Sequence, residues 1–325
     1  MGIVDTLSAG FDRVTKRLWL ILVPVLVDVG IWMGPQVSIN KLSRAAVAVL
    51  PSVTELGSQY EQSIELVREW FTDLGAGANL FSLFSMRALG LPSLTGAFAP
   101  KAGLLTTAQR VIEVQTWPAL LGSVALITVL SLLIGCFCLS WIAQEARDEQ
   151  INVAYTLQLT GRSWIRLVAL VSFGLLVAAM AIIGMGLLYS VLAALSPQLA
   201  WLTLSLFGVG SLWVSVYAGI IFFFAPRAIV LDNMGILHSL WSSLNIVHRN
   251  FLSAIAFILL VNIIQAGLLH IWRLLAVSAV GTLLGIVGNA YVSTGLVMAG
   301  FIFYRDRFVA WQEARRQAQI GKGQA

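Results

Sequence analysis

Long apolar runs alternate with short charged stretches along this chain, and the runs are long enough to cross a bilayer. A helix needs about 20 apolar residues to span about 30 Å of hydrocarbon. Each run is predicted to be helical, because a backbone inside lipid finds no water to hydrogen-bond. The six predicted spans are residues 18–35, 118–143, 164–195, 199–225, 251–275 and 279–304.

The first of these runs is the weakest candidate for a span. Pro24 and Asp28 interrupt it, and a proline removes a backbone donor from a helix. The pattern therefore predicts about six spans, with a count of five as the alternative if this segment lies at the membrane surface. The third run is longer than a bilayer requires, so it tilts or continues past the membrane.

Basic residues fall in the short segments between the runs, which predicts the orientation of the chain. With six spans, four basic segments lie on one side, and the positive-inside rule makes that side the cytoplasm. Both termini are then cytoplasmic, and the chain is predicted to be a multi-pass protein of a prokaryotic plasma membrane. The basic residues are Arg13, Lys16, Arg17, Arg147, Arg162, Arg166, Arg227, Arg249, Arg305, Arg307, Arg315, Arg316 and Lys322.

The composition agrees with this prediction. Hydrophobic residues make up 58% of the chain and charged residues 11%, and the mean hydropathy is +0.87. The fold class expected is all-α, a polytopic bundle of transmembrane helices that contacts the lipid bilayer. The net charge of +5 comes mostly from the cytoplasmic flanks, where it suits an anionic leaflet. It does not predict binding to nucleic acid.

Four regions follow from the pattern. Residues 1–35 contain the cytoplasmic N-terminus and the first span, residues 36–117 form an extracytoplasmic helical segment, residues 118–304 hold a five-span bundle, and residues 305–325 form a basic cytoplasmic tail. In the outer segment, apolar residues at steps of three and four predict a helix over 53–74, which glycines at 75 and 77 end. A further helix is predicted over 102–116. We expect this segment to pack as a cap over the spans, with a docking surface as the alternative.

A second amphipathic helix is predicted between the fourth and fifth spans, with Asp232 or Asn233 as its N-cap. Its apolar face carries five large residues, while serines lie mostly elsewhere. Such a helix lies in the membrane surface or binds a partner, and we regard it as a candidate cytoplasmic docking helix. The five residues are Leu237, Leu240, Trp241, Leu244 and Val247.

Polar residues inside the predicted spans form a candidate midplane cluster. Asp28 lies about 15 Å into its span at 1.5 Å per residue, and the others reach comparable depths. A carboxylate there is costly unless it is neutral, paired or wetted. The cluster is interpreted as packing that fixes helix order, with a polar pathway as the alternative. Its members are Asp28, Asn262, Gln265, Asn289 and Tyr291.

Close helix packing is predicted where Gly281 and Gly285 form a GxxxG step with Gly288 nearby. Segments 152–177 and 235–261 resemble each other faintly, which is interpreted as the chance likeness of two apolar helices, with a parallel repeat as the alternative. Cys136 and Cys138 point to different sides of a helix, so we expect packing and neither a disulfide nor a metal site.

No catalytic spacing is present in the sequence: it lacks HExxH, CxxC, GxSxG and GxxxxGK[ST] patterns. The three histidines, His238, His248 and His270, are far apart and fall near different faces of the membrane. We therefore predict a non-enzyme without a cofactor.

One stretch resembles a known group. It contains Ala225-Pro226-Arg227 through Asn233, Ser239 to Ser243, and His248-Arg249-Asn250-Phe251. It is similar to the membrane domain attached to some glycerophosphoryl diester phosphodiesterases and to related prokaryotic integral membrane families. The opening run from Arg17 to Pro35 resembles a group of integral membrane proteins of the Chloroflexi. The phosphodiesterase activity belongs to a soluble barrel that these residues do not resemble, so the likeness implies no activity.

These observations lead to two functional hypotheses. The first is a non-enzymatic accessory or scaffold component of the membrane that works through a membrane or cytoplasmic protein partner. The second is a subunit of a transporter or permease that handles a lipid or small amphiphile, which the midplane polar residues favour. A membrane enzyme acting on lipid finds no support in the sequence.

Overall fold

The computed structural model describes residues 2–50, 61–85, 89, 91–97, 110–148 and 152–323. In this part of the chain the fold is all-α, except for two short strands. The helices are α1 (Ile3–Lys16), α2 (Leu22–Met33), α3 (Asn40–Val49), α4 (Glu61–Gly77), α5 (Leu94–Ala97), α6 (Trp117–Asp148), α7 (Val153–Leu195), α8 (Pro197–Leu231), α9 (Ile236–Arg249), α10 (Phe251–Leu275) and α11 (Ala279–Gly323). Two 3₁₀ turns lie at Leu18–Ile21 and Leu80–Phe84.

Five of these helices, α6, α7, α8, α10 and α11, are long and apolar enough to cross a membrane. The prediction of a polytopic helical bundle is confirmed, and each of these five helices covers one of the predicted spans. The predicted first span is different, because Leu18–Met33 is a shorter apolar segment. It begins as a 3₁₀ turn, and the 12 residues of α2 extend only about 18 Å. The described part of the chain therefore has five candidate spans and one short apolar segment.

The long helices extend beyond the predicted spans. The third span was expected to begin at residue 164, whereas α7 begins at Val153 and is 43 residues long, about 64 Å. It runs unbroken through the first of the two segments compared as a repeat. The second segment is divided into α9 and α10 at Asn250, so the two segments differ in structure, which agrees with a chance resemblance.

The chain divides into two compact units, and the first contains Met1–Arg13, Cys136–Ile263 and Gly295–Ala325. Its core is an aromatic stack in which the Phe257 and Phe303 rings lie 4.6 Å apart and the Phe224 ring lies 5.7 Å from Phe303. The end of α8 around Phe224 is buried on all sides: Phe224, Ala225 and the residues from Arg227 to Leu231 are at most 3% exposed. This aromatic packing fixes the last turns of α8 beside α11.

The same unit contains a helical hairpin of α7 and α8. The halves of both helices that adjoin the connecting turn, which we call the far halves, are almost entirely exposed. At Gly184 and Gly210, for example, a Cβ added to the glycine would have no neighbouring atom of the protein within 4 Å. Exposed apolar surface on helices of this length is what lipid-facing segments present, since lipid tails are as apolar as leucine.

The second unit contains Val14–Gly135 and Ile264–Thr294. Strand β1 (Gln36–Ser38) pairs in parallel with strand β2 (Val111–Glu113). Val37, Leu80, Val114 and Ile127 form a small core here, which packs the outer segment against the first turns of α6. The expectation of a packed cap agrees with this core.

Two predictions for the outer segment need correction. Residues 36–117 are not wholly helical, because the predicted helix over 102–116 is a strand at Val111–Glu113, where β1 offers a ladder partner and Val111 and Ile112 are β-branched. Residues 102–109 lie outside the described part. Helix α4 agrees with the predicted helix from Glu61 onward and ends at Gly77, as the glycines predicted, while residues 53–60 are outside the described part.

Candidate functional site

A buried carboxylate in the second unit binds the start of a short helix. Asp28 of α2 is 2% exposed. Its Oδ2 accepts the Leu94 backbone N–H at 3.0 Å, and its Oδ1 accepts the Thr95 N–H at 3.0 Å. The hydroxyls of Ser93 and Thr95 also donate to Oδ1, the latter at 2.8 Å. Asp28 therefore occupies the N-terminus of α5, where a helix presents unpaired donors.

Two further contacts complete this arrangement. Ser93 Oγ accepts the Gly96 N–H at 2.9 Å, as an N-cap serine does. Asn289 of α11 donates from Nδ2 to the Pro92 carbonyl oxygen at 2.8 Å. The segment Pro92–Ala97, which we call the inserted segment, is thus held by α2 at its helical start and by α11 just before it.

Glycines on α11 make room for the inserted segment and for α10. Leu94 is fully buried, and a Cβ at Gly285 would lie 2.9 Å from its Cδ2. A Cβ at Gly288 would lie 2.6 Å from the Trp272 ring of α10. The predicted close packing at these glycines is confirmed. Gly285 is six residues after Ala279, the first residue of α11, which is about 9 Å along its axis, so the segment lies beside the apolar part of a spanning helix.

The structure brings together two of the five predicted midplane residues. Asp28 and Asn289 meet through the inserted segment. Tyr291 lies on another side of α11, where its hydroxyl is 2.7 Å from Thr15 Oγ1. Gln265 is half-buried, and Asn262 is exposed and donates to the Ile258 carbonyl oxygen of its own helix at 2.8 Å.

Sequence reasoning missed the partners of Asp28. Ser93 and Thr95 were not candidates, although a serine that follows a proline and precedes apolar residues is a usual N-cap signal. The predicted spans contain no basic residue at the depth of Asp28 that could pair with it. In the structure, hydroxyl and backbone N–H groups bind the carboxylate instead. A carboxylate so fully hydrogen-bonded favours the packing interpretation, since its contacts hold two backbone N–H groups and two hydroxyls of one segment in place.

In the first unit, the predicted docking helix α9 packs through its small residues. Ser239, Ser242 and Ser243 are at most 1% exposed, whereas Leu237 is 82% and Trp241 62% exposed. Leu240 and Leu244 are half-buried, and Val247 is buried. The predicted face is therefore divided: Val247 belongs to the packed side, and the other four residues form what we call the outward stripe.

The turn before α9 sets its direction. Asn233 has φ 52°, a left-handed conformation that asparagine tolerates better than most residues. Arg166 of α7 donates from Nη1 to the Asn233 carbonyl oxygen at 2.8 Å and to the Met234 carbonyl oxygen at 3.1 Å. The predicted N-cap, Asp232 or Asn233, is not observed, because Gly235 precedes the first turn and Asp232 instead caps the end of α8.

A buried arginine follows the proline of α8. Arg227 is 3% exposed, its guanidinium carbon lies 3.9 Å from the Phe223 ring centroid, and its Nη1 donates to the Phe223 carbonyl oxygen. Gly300 of α11 allows this, since a Cβ there would lie 2.5 Å from Arg227 Nε. Within the described residues Nε has no hydrogen-bond partner.

Three more arginines of the first unit gather at the C-terminal end of α6, and we call them the basic cluster. Arg13 of α1 donates from Nη1 to the carbonyl oxygens of Glu145 and Ala146, both at 3.1 Å. Arg305 of α11 donates from Nη1 to the same Ala146 oxygen at 2.8 Å. Arg147 belongs to the last turn of α6 itself. The negative end of a helix dipole favours cations at this position.

Two acidic residues lie near this cluster: Glu145, whose carbonyl oxygen Arg13 binds, and Asp232. Partial burial raises the pKa of Asp232, while a hydrogen bond from Tyr304 and the charges of Arg147 and Arg305 act to lower it. Arg147 also donates to the Tyr155 hydroxyl at 3.1 Å. Arg147 and Arg305 therefore both face the Asp232 carboxylate.

Among the described residues, no three His, Cys, Asp or Glu side chains lie close enough to hold a metal ion together. Comparison with known proteins gives no match to a protein-family model, to a curated protein or to a solved structure. The resemblance to the phosphodiesterase membrane domain therefore stays a prediction.

Proposed function

We propose that this chain is a non-enzymatic accessory or scaffold component of a prokaryotic plasma membrane, which binds a cytoplasmic protein through α9. The observation that carries the proposal is the outward stripe. A helix that buries three serines and leaves Leu237 and Trp241 outside has its apolar side free for another molecule. Tryptophan is also enriched among the residues that dominate binding energy at protein interfaces.

The charges near the stripe indicate the chemistry of the partner. His248 and Arg249 end α9 and are exposed. A partner with an apolar pocket for Trp241 and acidic residues at its rim fits this surface, because rim charges steer association and exclude like-charged competitors.

The cytoplasmic location rests on the basic residues. Arg13, Arg147 and Arg305 belong to three different elements and meet at the end of one spanning helix. Arginine close to the ends of spans marks the cytoplasmic side. On this argument α9 and both termini are exposed to the cytoplasm.

A photo-reactive amino acid in place of Trp241 tests the proposal in intact membranes. We expect a discrete protein adduct whose yield falls when Arg249→Glu is added, because an acidic rim no longer finds its cation. The same residue in place of Val214, which is exposed on the far half of α8, is the control and is expected to react with lipid.

The Trp241→Ala variant supplies the second measurement. Because Trp241 is mostly exposed, its removal should change the free energy of unfolding by no more than about 0.5 kcal/mol, while the adduct partner no longer co-purifies. Lipid adducts alone at position 241 contradict the proposal and assign α9 to the membrane surface.

A second candidate function is transport of a lipid or small amphiphile, and the inserted segment favours it. Irregular backbone at membrane depth occurs where it is buried in protein or lines a pathway, and transporters place helix N-termini at such sites. In liposomes, a transporter should move a fluorescent phospholipid between leaflets, and Asp28→Asn should abolish this while the protein stays folded. Loss of folding alone supports packing.

A further inference from the structure

The three arginines of the basic cluster come from different elements, and their number exceeds what helix capping requires. Arg13 Nη1 and Arg305 Nη1 lie 3.1 Å and 2.8 Å from the same Ala146 oxygen, so the two guanidinium groups are close neighbours. Each guanidinium has five N–H donors, more than these contacts use. Like charges at this distance repel unless an anion compensates them.

The cluster lies where a phospholipid headgroup lies. The helix segment Trp117–Arg147 is 31 residues long, about 46 Å at 1.5 Å per residue, so Arg147 at its end extends past about 30 Å of hydrocarbon to headgroup depth. Arg13 and Arg147 are half-buried and Arg305 is exposed, which leaves the cluster accessible from outside the protein. Planar guanidinium groups bind phosphate oxygens in pairs.

We propose that Arg13, Arg147 and Arg305 form a binding site for the phosphate of an anionic phospholipid. The lipid phosphate offsets part of the positive charge of the three cations, and its acyl chains lie along the apolar surface of the spanning helices. Basic pockets at the cytoplasmic ends of transmembrane helices bind anionic headgroups in this way. Asp232, with Tyr304 beside it, faces Arg147 and Arg305 and offsets one charge, and Glu145, whose carbonyl oxygen Arg13 binds, is a second acidic residue at this end of α6.

Thermal unfolding of the full chain in mild detergent tests this site. We expect phosphatidylglycerol to raise the unfolding temperature, and the Arg13→Gln/Arg305→Gln variant to need a lipid concentration more than tenfold higher for the same increase. Each arginine near an anionic surface accounts for about fivefold in affinity, or about 1 kcal/mol. Arg44→Gln, which removes an arginine of α3 in the second unit, is the matched control and should behave like the unaltered protein.

Lysine variants keep the test decisive if the glutamine variant fails to fold. Arg13→Lys/Arg305→Lys retains both charges, so it should bind phosphatidylglycerol with a loss of only a few-fold. Phosphatidylcholine, with no net charge, should have little effect. If the glutamine variant is folded, a phosphatidylglycerol response equal to that of the unaltered protein overturns the proposal. If it is not folded, equal stabilisation of the lysine variant by phosphatidylcholine and phosphatidylglycerol overturns it. Equal stabilisation by inorganic phosphate at the same concentration overturns the assignment to lipid and leaves a free-phosphate site.

Discussion

The Asp28 carboxylate and the backbone N–H of Leu94 are joined by a hydrogen bond of 3.0 Å between residues 66 positions apart in sequence. Asp28 thereby closes the N-terminus of α5 together with Ser93, the residue that precedes the helix and accepts the Gly96 N–H. This contact attaches the inserted segment to α2.

Asp28→Asn is expected to destabilise the protein. An asparagine keeps one acceptor oxygen but directs an NH₂ group at backbone donors that the carboxylate now satisfies, and an unsatisfied buried donor costs about 1–3 kcal/mol. The free energy of unfolding in detergent measures this loss. Asp12→Asn, at an exposed position of α1, is the control, and equal stability of both variants contradicts the capping role.

Gly10→Ala should destabilise the first unit. A Cβ at position 10 would lie 2.7 Å from the Ala299 backbone nitrogen and 2.8 Å from the Gly295 carbonyl oxygen, and backbone atoms cannot move aside as a flexible side chain can. Overpacking of this kind costs about 1–3 kcal/mol.

The control for this glycine is Gly184→Ala in the far half of α7, where nothing lies within 4 Å of the added carbon. Alanine favours helix by up to about 1 kcal/mol over glycine, so this variant should be neutral or more stable. Thermal unfolding of both variants checks the prediction, and an equal effect would show that α1 does not pack closely on α11.

Asp232 should make stability depend on pH. Its pKa is raised in the folded state by burial, so above its ordinary value of 3.8 the folded chain binds more protons than the unfolded chain. Stability from this group is therefore present at low pH and decreases as the pH rises through the folded-state pKa.

The measurement for Asp232 is the unfolding free energy as a function of pH, starting near pH 4. Asp232→Asn should show a smaller decrease with rising pH than the unaltered protein, because asparagine does not titrate. Asp5→Asn, on the exposed side of α1, serves as the comparison, and identical pH profiles for Asp232→Asn and the unaltered protein contradict the prediction.

Labelling of single cysteines should place both ends of the first unit on one side of the membrane. Arg13 and Arg305 bind the same carbonyl oxygen, so Val4→Cys and Val309→Cys, both at exposed positions, should react with an impermeant maleimide only from the cytoplasmic side. Trp117→Cys, at the start of α6, should react from the other side. The background replaces Cys136 and Cys138, which are buried, with alanine.

If positions 4 and 309 react from opposite sides, α1 and the end of α11 lie on opposite sides of the membrane. That result contradicts the contact of Arg13 and Arg305 with the same carbonyl oxygen. Reactivity of both positions from outside would reverse the orientation predicted by the positive-inside rule. Either result also relocates α9 and so removes the proposed cytoplasmic partner.

The spanning helices could be predicted from the sequence, because their signal is local. The length of an apolar run is enough to predict where a spanning helix begins and ends. The helix predicted over 251–275, for example, is found as Phe251–Leu275. The close packing at Gly285 and Gly288 was predictable for the same reason, since small residues on one side of an apolar helix permit contact whatever the neighbour is. The N-terminal segment was the weakest prediction, and Pro24 and Asp28 were already visible as its interruptions.

The tertiary structure decided what the polar residues do. Asp28 finds its donors in Ser93, Leu94 and Thr95, and no periodicity in the sequence connects positions so far apart. The strand at Val111–Glu113 exists because β1 supplies its hydrogen bonds, and the pairing is not encoded in the strand alone. The orientation of α9 could not be predicted either, because an amphipathic pattern does not show which side of the helix is buried. Its packing neighbours determine that the serine side is buried and that Leu237 and Trp241 are exposed.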